Sequence, residues 1–261
     1  MSPPHKTRVL LAVMNEEIAL RDQMPELVAL QASGEFELHF LLGPSEDGTE
    51  ELLHLLDCQI HHDPPDGVGA NLQQVLKSLS DAGCDTVVLA QPDGNCNLRE
   101  IPRLLHIYKS GQYKLLIASR YLNGMQSVDD TPLSRLGNRF FARLFTQISG
   151  TKVTDPLVGF RICDMPTLKR EGLLERQSLE RIESFVRGSL SIEPLITYRF
   201  VLSGAKFTEV SIPEGPRAGG KTKRATFRWG LGYLLQMVNE WYRYSLYGSH
   251  EKRGARRDHR T

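Results

Sequence analysis

Uninterrupted apolar stretches alternate, in the first half of the chain, with stretches in which apolar residues recur every three or four positions. The uninterrupted stretches have strand length, and their lack of polar alternation predicts strands that are buried on both faces. They are RVLLAVM (8–14), FELHFLL (36–42), DTVVLA (85–90) and YKLLIASR (113–120). The periodic stretches between them predict helices, at 15–33, within 45–56, at 69–83 and at 97–111. This alternation predicts an α/β fold with a mostly parallel sheet flanked by helices.

The second half of the chain has longer helices and shorter strands. The pattern predicts a helix at 132–150 and a loop and short strand in TDPLVGFRICD (154–164). IEPLITYRFVLSGAKFTEVSI (192–212) predicts a helix, a stop at Gly204 and a strand after it, and an aromatic helix follows at 228–247. No linker separates the two halves, so we predict a single domain over 1–225. The aromatic helix (226–248) and a basic tail (249–261) follow it.

Composition narrows the class of protein. The 261 residues are 40% hydrophobic and 24% charged, which is typical of a globular protein. A net charge of +1 gives no overall electrostatic basis for nucleic-acid binding. No run of 18 uncharged apolar residues predicts a membrane span, and MSPPHKTR lacks the apolar segment of a secretory signal. The four cysteines lack metal-type spacing, so we interpret them as free thiols of a cytoplasmic protein.

A short polar loop, QPDGN, connects the strand at 85–90 to the helix that follows it. In α/β proteins, phosphates and metals bind where a strand passes into a helix. Asp93 supplies a carboxylate there, and Asn95 offers a side-chain carbonyl. Hard oxygens of this kind are the ligands that Mg²⁺ and Mn²⁺ prefer. The alternative is an ordinary turn, because Asp-Gly is also common turn chemistry.

Several motifs in fixed order carry a resemblance to a known family. They are NE in AVMNEE (Asn15, Glu16), SEDGT in LGPSEDGT (45–49), QPDGN (91–95), ASRY with Arg120, SRLGNRFF with Arg135 and Asn138, DPLVGFR (155–161) and RAGGKTK (217–223). Over roughly residues 8–225 the chain resembles family-2 glycosyltransferases of the GT-A fold, within the dolichol-phosphate mannosyltransferase-like branch. The resemblance implies a GT-A, Rossmann-like sheet. It also implies an inverting, metal-dependent transfer of a sugar from a nucleoside diphosphate to a polyprenyl phosphate.

The resemblance also implies roles for individual residues on the donor side. Asp93 and Asn95 would bind Mg²⁺ or Mn²⁺, with Asp93 taking part in catalysis. The donor would contact the residues that match the family's nucleotide motifs, which are Asn15, Glu16, Gln91, Arg217 and Lys223. Arg217 would form bidentate hydrogen bonds to the diphosphate, and Lys223 would interact with it as a point charge. A solvated basic loop is the alternative for RAGGKTK.

On the acceptor side, the resemblance places Arg120 and Arg135 at the phosphate of the polyprenyl acceptor. Such a phosphate is already ionised, so it needs cations more than a general base. A strand-end cap for Arg120 and a surface salt bridge for Arg135 are the alternatives. We expect Asp155 to brace its own turn and Glu193 to be structural. If the acceptor were a soluble hydroxyl, Glu193 would become a candidate base.

The sequence departs from the family pattern around the nucleotide. Leu42 and Gly43 occupy positions that usually hold acids, Gln91 replaces an aspartate, and Ala12 and Met14 replace a proline and a tyrosine. Because Leu42 cannot accept a hydrogen bond from a base, nucleobase recognition must differ. Two alternatives therefore stay open, a glycosyltransferase with a soluble acceptor and a non-catalytic protein that binds nucleotide sugars.

The C-terminal segment combines aromatic residues with cations. Trp229, Tyr233, Trp241 and Tyr244 lie in the helix, and EKRGARRDHRT adds a basic tail. Such a pattern suits the surface of an anionic membrane. It predicts peripheral attachment to the inner face of the membrane through residues 227–260. Packing of the helix on the core, or on a second copy in a homodimer, is the alternative.

Overall fold

A single seven-stranded sheet forms the centre of the protein. The computed structural model describes residues 7–62, 68–125, 130–175, 177–186, 190–213, 215 and 226–255. The strands are β1 Thr7–Val13, β2 Phe36–Leu42, β3 Cys58–His62, β4 Thr86–Ala90, β5 Leu115–Ser119, β6 Arg161–Asp164 and β7 Phe207–Ser211. The helices are α1 Glu17–Ala32, α2 Thr49–Leu53, α3 Val68–Asp81, α4 Ile101–Ser110, α5 Pro132–Ser149, α6 Met165–Arg170, α7 Gln177–Val186, α8 Glu193–Leu202 and α9 Thr226–Ala255.

The order of the strands brings the predicted site residues to one edge of the sheet. The order is β3-β2-β1-β4-β6-β5-β7, and β6 alone runs antiparallel to its neighbours within this sheet. The carboxyl ends of β1, β2, β4, β5 and β7 therefore meet the amino end of β6 at the same edge. Leu89 of β4 and Ile117 of β5 both pair with Arg161 of β6. The loops after β4 and β5 consequently start about 10 Å apart, two strand spacings.

The predicted elements of the first half are largely confirmed. β2 has the predicted bounds, and its residues are almost all buried, as the lack of polar alternation indicated. Gly83 and Gly204 follow helices with positive φ angles of +75° and +76°, a conformation that glycine adopts without strain. Three elements were not predicted, namely β3, α6 and α7. β3 has the sequence CQIHH and lies at the edge of the sheet, where strands carry polar side chains and give a weak apolar signal.

The aromatic helix packs on the body of the protein along one face. α9 contacts α5, α7 and α8. Gln236, Met237 and Glu240 are at most 1% exposed on that face. Glu240 forms a bidentate ion pair with Arg199 of α8, at 2.9 and 3.0 Å. Core packing therefore accounts for one face of α9.

The opposite face of α9 remains apolar and exposed. Its exposed side chains include Leu231, Val238, Trp241, Tyr242 and Leu246. Within the described ranges, no helix combines the length and the apolar character that a bilayer crossing requires. Attachment of this segment to a membrane surface stays a prediction.

Candidate active site

The first two loops at the carboxyl edge of the sheet are hydrogen-bonded to each other. Asn15 has a positive φ of 54°, and its backbone N–H donates to Ser45 Oγ at 3.0 Å. The side-chain oxygen of Asn15 accepts from the backbone N–H of Glu46 at 2.8 Å. The backbone N–H of Glu16 donates to Thr49 Oγ1 at 2.9 Å. Asn15, one of the predicted donor residues, therefore uses its side-chain oxygen to hold the neighbouring loop.

Acids in the same loops complete this connection. Asp47 accepts from the backbone N–H groups of Glu17 and Thr49, both at 3.1 Å. Glu17 accepts from the N–H of Gly48 at 2.9 Å and from Arg21. The hydrogen bonds from Arg21 and Gly48 lower the pKa of Glu17. Burial opposes the ionised form of Asp47, but the hydrogen bonds from Thr49 and Glu17 outweigh it and lower the pKa of that carboxyl.

The positions that lack the family's acids form an apolar patch. Leu42 is 4% exposed at the end of β2. A β-carbon on Gly43 would lie only 3.0 Å from the β-carbon of Met14. A side chain at residue 43 would therefore crowd the side chain of residue 14. Leu42 and Met14 give this side of the site apolar side chains, and altered nucleobase recognition stays a prediction.

The QPDGN loop is a tight turn built around a buried acid. Asp93 is 4% exposed, and its Oδ1 accepts from the backbone N–H of Asn95 at 3.1 Å. Gly94 has a φ of +87°. Gln23 of α1, with its amide oriented by its neighbours, accepts from the N–H of Gly94 at 3.1 Å and donates to the carbonyl of Cys96 at 3.2 Å. The loop therefore is a true Asx turn that α1 holds in place, and Gln23 is a supporting residue that sequence reasoning missed.

The turn does not exclude metal binding, because suitable oxygens remain. Asn95 Oδ1 is buried and has no hydrogen-bond partner among the described residues. A buried acceptor without a partner costs free energy unless a ligand satisfies it. A buried carboxylate and an unsatisfied amide oxygen two residues apart fit a hard divalent cation. Within the described part of the chain, no group of three or more His, Cys, Asp or Glu side chains could hold a metal.

Gln91 faces the loop that precedes β6. The position of a β-carbon on Gly159 would be 3.7 Å from Gln91 Nε2 and 3.8 Å from Glu193 Oε1. Glu193 is 8% exposed at the start of α8 and accepts from the Ser191 hydroxyl. The side chains of Gln91 and Glu193 therefore converge over Gly159. Glu193 lies at the same site as the QPDGN loop.

A fully buried arginine contacts the backbone of Glu193. Arg161, at the amino end of β6, is 0% exposed. It donates to the carbonyl of Glu193 and to Thr197 Oγ1, the latter at 2.9 Å. Burial lowers the pKa of this guanidinium, although Glu193 and Asp155 oppose the shift. Sequence reasoning gave Arg161 only as the last residue of the DPLVGFR motif.

Arg120 is held by a buried carboxylate. Its Nε and Nη2 donate to Asp155 at 2.7 and 2.9 Å, and its backbone N–H donates to the same carboxylate at 3.1 Å. Asp155 is 1% exposed, and its own backbone N–H donates to Glu209. Asp155 therefore braces Arg120 as well as its own turn. Asp155 orients the Arg120 guanidinium. The role of Arg120 at an acceptor phosphate stays a prediction.

Arg135 lines a basic cavity beside Arg120. The cavity measures about 530 Å³. Its lining residues come from the loop after β5, from α5 and from 152–154, and they are Tyr121, Gly124, Met125, Arg135, Arg139, Ala142, Arg143, Thr146, Gln147, Lys152, Val153 and Thr154. Arg135 Nε is buried without a hydrogen-bond partner among the described residues. The salt bridge considered as the alternative for Arg135 is absent from the described residues.

A hydrogen-bonded cluster fixes the wall of this cavity. Tyr121 donates to Asp130, and Asn138 donates to the Tyr121 hydroxyl at 2.6 Å. The Arg120 guanidinium lies 5.1 Å from the centre of the Tyr121 ring. Burial and the bond to Asp130 raise the pKa of Tyr121, so its hydroxyl stays protonated at neutral pH. Asn138, which belongs to the predicted motif, connects α5 to the loop that carries Arg120.

Arg217 and Lys223, the two predicted donor residues of the basic loop after β7, lie outside the described residues. Gly215, which precedes them in the chain, is described. A β-carbon there would lie 2.6 Å from the carbonyl oxygen of Gly94. The chain thus passes in backbone contact with the QPDGN loop two residues before Arg217.

Known proteins share this architecture. No family model matches the chain. A dolichyl-phosphate hexose transferase of Haloferax volcanii is 27% identical over 230 residues, which cover 88% of this chain and 91% of that protein. Glucosyl-3-phosphoglycerate synthase of Mycobacterium tuberculosis, in complex with Mn²⁺, UDP and phosphoglyceric acid, is 17% identical. It superposes with a TM-score of 0.64 over 91% of this chain and 79% of its own. Its complex with Mn²⁺, UDP-glucose and phosphoglyceric acid gives a TM-score of 0.61 at 16% identity.

The resemblance to family-2 glycosyltransferases of the dolichol-phosphate mannosyltransferase-like branch is confirmed. The predicted fold is confirmed as well, a mostly parallel GT-A sheet flanked by helices in a single domain. Divalent Mn²⁺ accompanies this fold in the mycobacterial complexes. The individual roles of the site residues stay predictions.

Proposed function

We propose that the protein transfers a hexose from a nucleoside-diphosphate sugar to the phosphate of a polyprenyl phosphate, with inversion at the anomeric carbon. The observation that carries the proposal is the basic cavity at Arg135, which opens at the same edge of the sheet as Asp93. The name of the Haloferax relative supports a lipid-phosphate acceptor. The ligands of the mycobacterial structures support a nucleotide-sugar donor.

On the donor side, Asp93 and Asn95 would hold Mg²⁺ or Mn²⁺ against the diphosphate. A bound divalent ion there would neutralise charge on the leaving nucleoside diphosphate. Asp93 adds one fixed negative charge at the buried turn, while Asn15 and Glu16 keep the first two loops together. Arg217 and Lys223 follow Gly215, whose backbone meets Gly94. These two cations would add positive charge at the diphosphate.

On the acceptor side, an ionised phosphate oxygen is the nucleophile. It forms the new bond to the anomeric carbon while the bond from that carbon to the diphosphate oxygen breaks. The electron pair leaves with the nucleoside diphosphate, so no proton has to be removed from the acceptor. Arg120, oriented by Asp155, and Arg135, whose Nε lacks a partner among the described residues, would orient the acceptor phosphate.

The surface of α5 supports a lipid acceptor and a peripheral position at a membrane. Leu133, Leu136 and Phe140 are 69%, 66% and 52% exposed on this helix. Arg139 is exposed on the same face, since residues three and four apart share one side of a helix. Exposed apolar and basic side chains on one face are typical of helices that lie in a membrane interface. The cavity that contains Arg135 would then open toward the lipid.

Asp93→Asn tests the donor half of this proposal. Asparagine keeps Oδ1, so the hydrogen bond from Asn95 and the turn should persist. The loss of charge should lower Mn²⁺-dependent nucleotide affinity by about 10- to 100-fold, as for other residues that tune a metal site. Calorimetry with nucleoside diphosphates, in Mn²⁺ and in chelator, measures this change. Equal nucleotide affinity of both proteins under both conditions would refute the assignment of Asp93.

A transfer assay tests the reaction itself. The protein is incubated with a panel of nucleoside-diphosphate hexoses that includes UDP-glucose, together with polyprenyl phosphate or with polyprenol. Only the phosphorylated acceptor should yield a glycosylated lipid, and the product should have the opposite anomeric configuration to the donor. Arg135→Gln should weaken acceptor use and leave nucleotide affinity unchanged, and Arg103→Gln on α4 is the matched control. Nucleotide binding without transfer to either acceptor would favour the non-catalytic alternative.

A soluble hydroxyl acceptor is the second candidate, and the position of Glu193 favours it. Glu193 Oε1 and Gln91 Nε2 converge over Gly159 beside the QPDGN loop. A carboxylate in that position could accept a proton from a hydroxyl acceptor. Under this alternative Glu193→Gln should abolish transfer. Under the lipid-phosphate mechanism the same variant should retain it.

A further inference from the structure

We propose that the far end of the α5 cavity, formed by Arg139, Arg143 and Lys152, is a second phosphate-binding subsite. It would bind a phosphate monoester group other than the acceptor phosphate at Arg135. The assignment of Arg135 to the acceptor rests on the proposed function. The second subsite is tested by binding without any donor, so the two can fail separately.

The helix places the cations in a row. Arg135, Arg139 and Arg143 are spaced four residues apart, so they share one face of α5 and all line the cavity. Eight residues of helix span about 12 Å. Asn138 contacts Tyr121 at the Arg135 end, whereas Lys152 follows the carboxyl end of the helix near Arg143. A single phosphate at Arg135 would therefore leave the cations at the other end without an anion.

No acid among the described residues pairs with this row. Among the described residues, Arg135, Arg139, Arg143 and Lys152 form no salt bridge. Two acids close in sequence to the cavity wall are bonded elsewhere: Asp130 to Tyr121 and Asn138, and Asp155 to Arg120. Like charges four residues apart destabilise a helix. A row of three arginines in register is thus unfavourable for α5 alone and favourable with a bound anion.

Stabilisation of the helix dipole does not account for the cations. Cations favour a helix within its last turn, and α5 has no basic residue there. Arg143 lies six residues before the end of the helix at Ser149. Thr146 and Gln147 add polar side chains between Arg143 and Lys152. The Thr146 hydroxyl donates to the Ala142 carbonyl. The guanidinium, ammonium and amide groups around the opening are the donors that a phosphate would use.

The phosphate could come from an anionic lipid headgroup or from a soluble phosphate ester, and two probes separate these sources. Vesicles of phosphatidylcholine with and without phosphatidic acid present the monoester phosphate on a membrane. Glycerol 3-phosphate presents the same group in solution. Co-sedimentation measures the first and calorimetry the second, both in chelator and without nucleotide. The proteins compared are wild type, Arg143→Gln/Lys152→Gln and a matched control, Arg103→Gln/Lys109→Gln on α4, which removes the same charge away from the cavity.

We expect wild type and the α4 control to bind at least one of the two phosphate probes. Arg143→Gln/Lys152→Gln should bind it about tenfold more weakly for each cation removed, the usual effect of one charge-assisted hydrogen bond. Binding of phosphatidic acid alone identifies a lipid headgroup, and binding of glycerol 3-phosphate identifies a soluble ester. Circular dichroism verifies that the variants are folded. The proposal is overturned if wild type binds neither probe, or if the cavity variant binds as tightly as the α4 control.

Discussion

The buried ion pair between Arg199 of α8 and Glu240 of α9 allows a test of whether α9 is docked on the folded domain. Their side chains are 4% and 1% exposed, and two hydrogen bonds of 3.0 and 2.9 Å join them. Arg199 also donates to the carbonyls of Glu171 and Gly172 at 2.8 and 3.1 Å. Glu240→Gln removes the charge with little change of shape. The amide then presents a donor to a guanidinium that can only donate.

The expected cost follows from leaving one buried charge without its partner. Removing one member of a buried pair destabilises a protein by about 3–5 kcal/mol, a large part of a typical total of about 5–15 kcal/mol. For a protein of this size the melting temperature should fall by about 6–20 °C, at ~2–4 °C per kcal/mol. The free energy of unfolding, from urea titrations followed by circular dichroism, measures the loss.

The double variant Arg199→Met/Glu240→Leu is the control. Apolar residues of similar size often replace a buried pair at little cost, but this variant also removes the donor to the carbonyls of Glu171 and Gly172. Because it leaves no unpaired charge, its loss of stability should be smaller than that of Glu240→Gln. A decrease below about 1 kcal/mol in Glu240→Gln would resemble the effect of an exposed pair. In that case α9 would not be docked on α8 in solution, and a membrane-bound position of the whole helix would gain support.

Two further predictions concern pH and the site loops. Burial lowers the pKa of His39, against the opposing charge of Glu37, and burial also lowers the pKa of His61, whose Nε2 lies 3.1 Å from His39 Nδ1. A histidine whose pKa is lowered in the folded state destabilises the protein as the pH falls below the unfolded pKa of about 6.5. The free energy of unfolding, from urea titrations, should therefore decrease between about pH 7.5 and about pH 5.5, and it should decrease less in His39→Gln. Equal decreases in both proteins would contradict this origin. Gly215→Ala should weaken nucleotide binding, because its β-carbon would lie 2.6 Å from the Gly94 carbonyl and backbone must shift. Calorimetry that gives wild-type affinity would show that the two loops do not depend on each other.

Much of the site could be predicted because its residues follow strands in fixed order. QPDGN follows β4 and Arg120 follows β5, so a parallel arrangement alone brings both to the carboxyl edge. The row of arginines on α5 was also readable, since Arg135, Arg139 and Arg143 recur every four residues. The resemblance assigned a role only to Arg135; Arg139 lies in the same SRLGNRFF motif without an assigned role, and Arg143 lies beyond the motif.

Other features depend on contacts between segments that are distant in sequence. Gln23 holds the QPDGN loop from α1, and Asp155 orients Arg120 across 35 residues. The close approach of Met14 to Gly43 likewise joins segments about 30 residues apart. Single residues of these types occur throughout any sequence. Their partners are specified only when the sheet brings the loops together.

The sequence by itself determined the α/β class, most strands and helices, the glycine ends of helices and the loop that carries Asp93. These features depend on local periodicity and on turn residues, whose energies come from neighbours along the chain. Only the tertiary structure decided that β6 lies antiparallel between β4 and β5, that α9 docks through Arg199 and Glu240, and that four cations share one cavity. Burial and charge pairing act between segments that are far apart in the chain, so the sequence pattern does not record which segments meet.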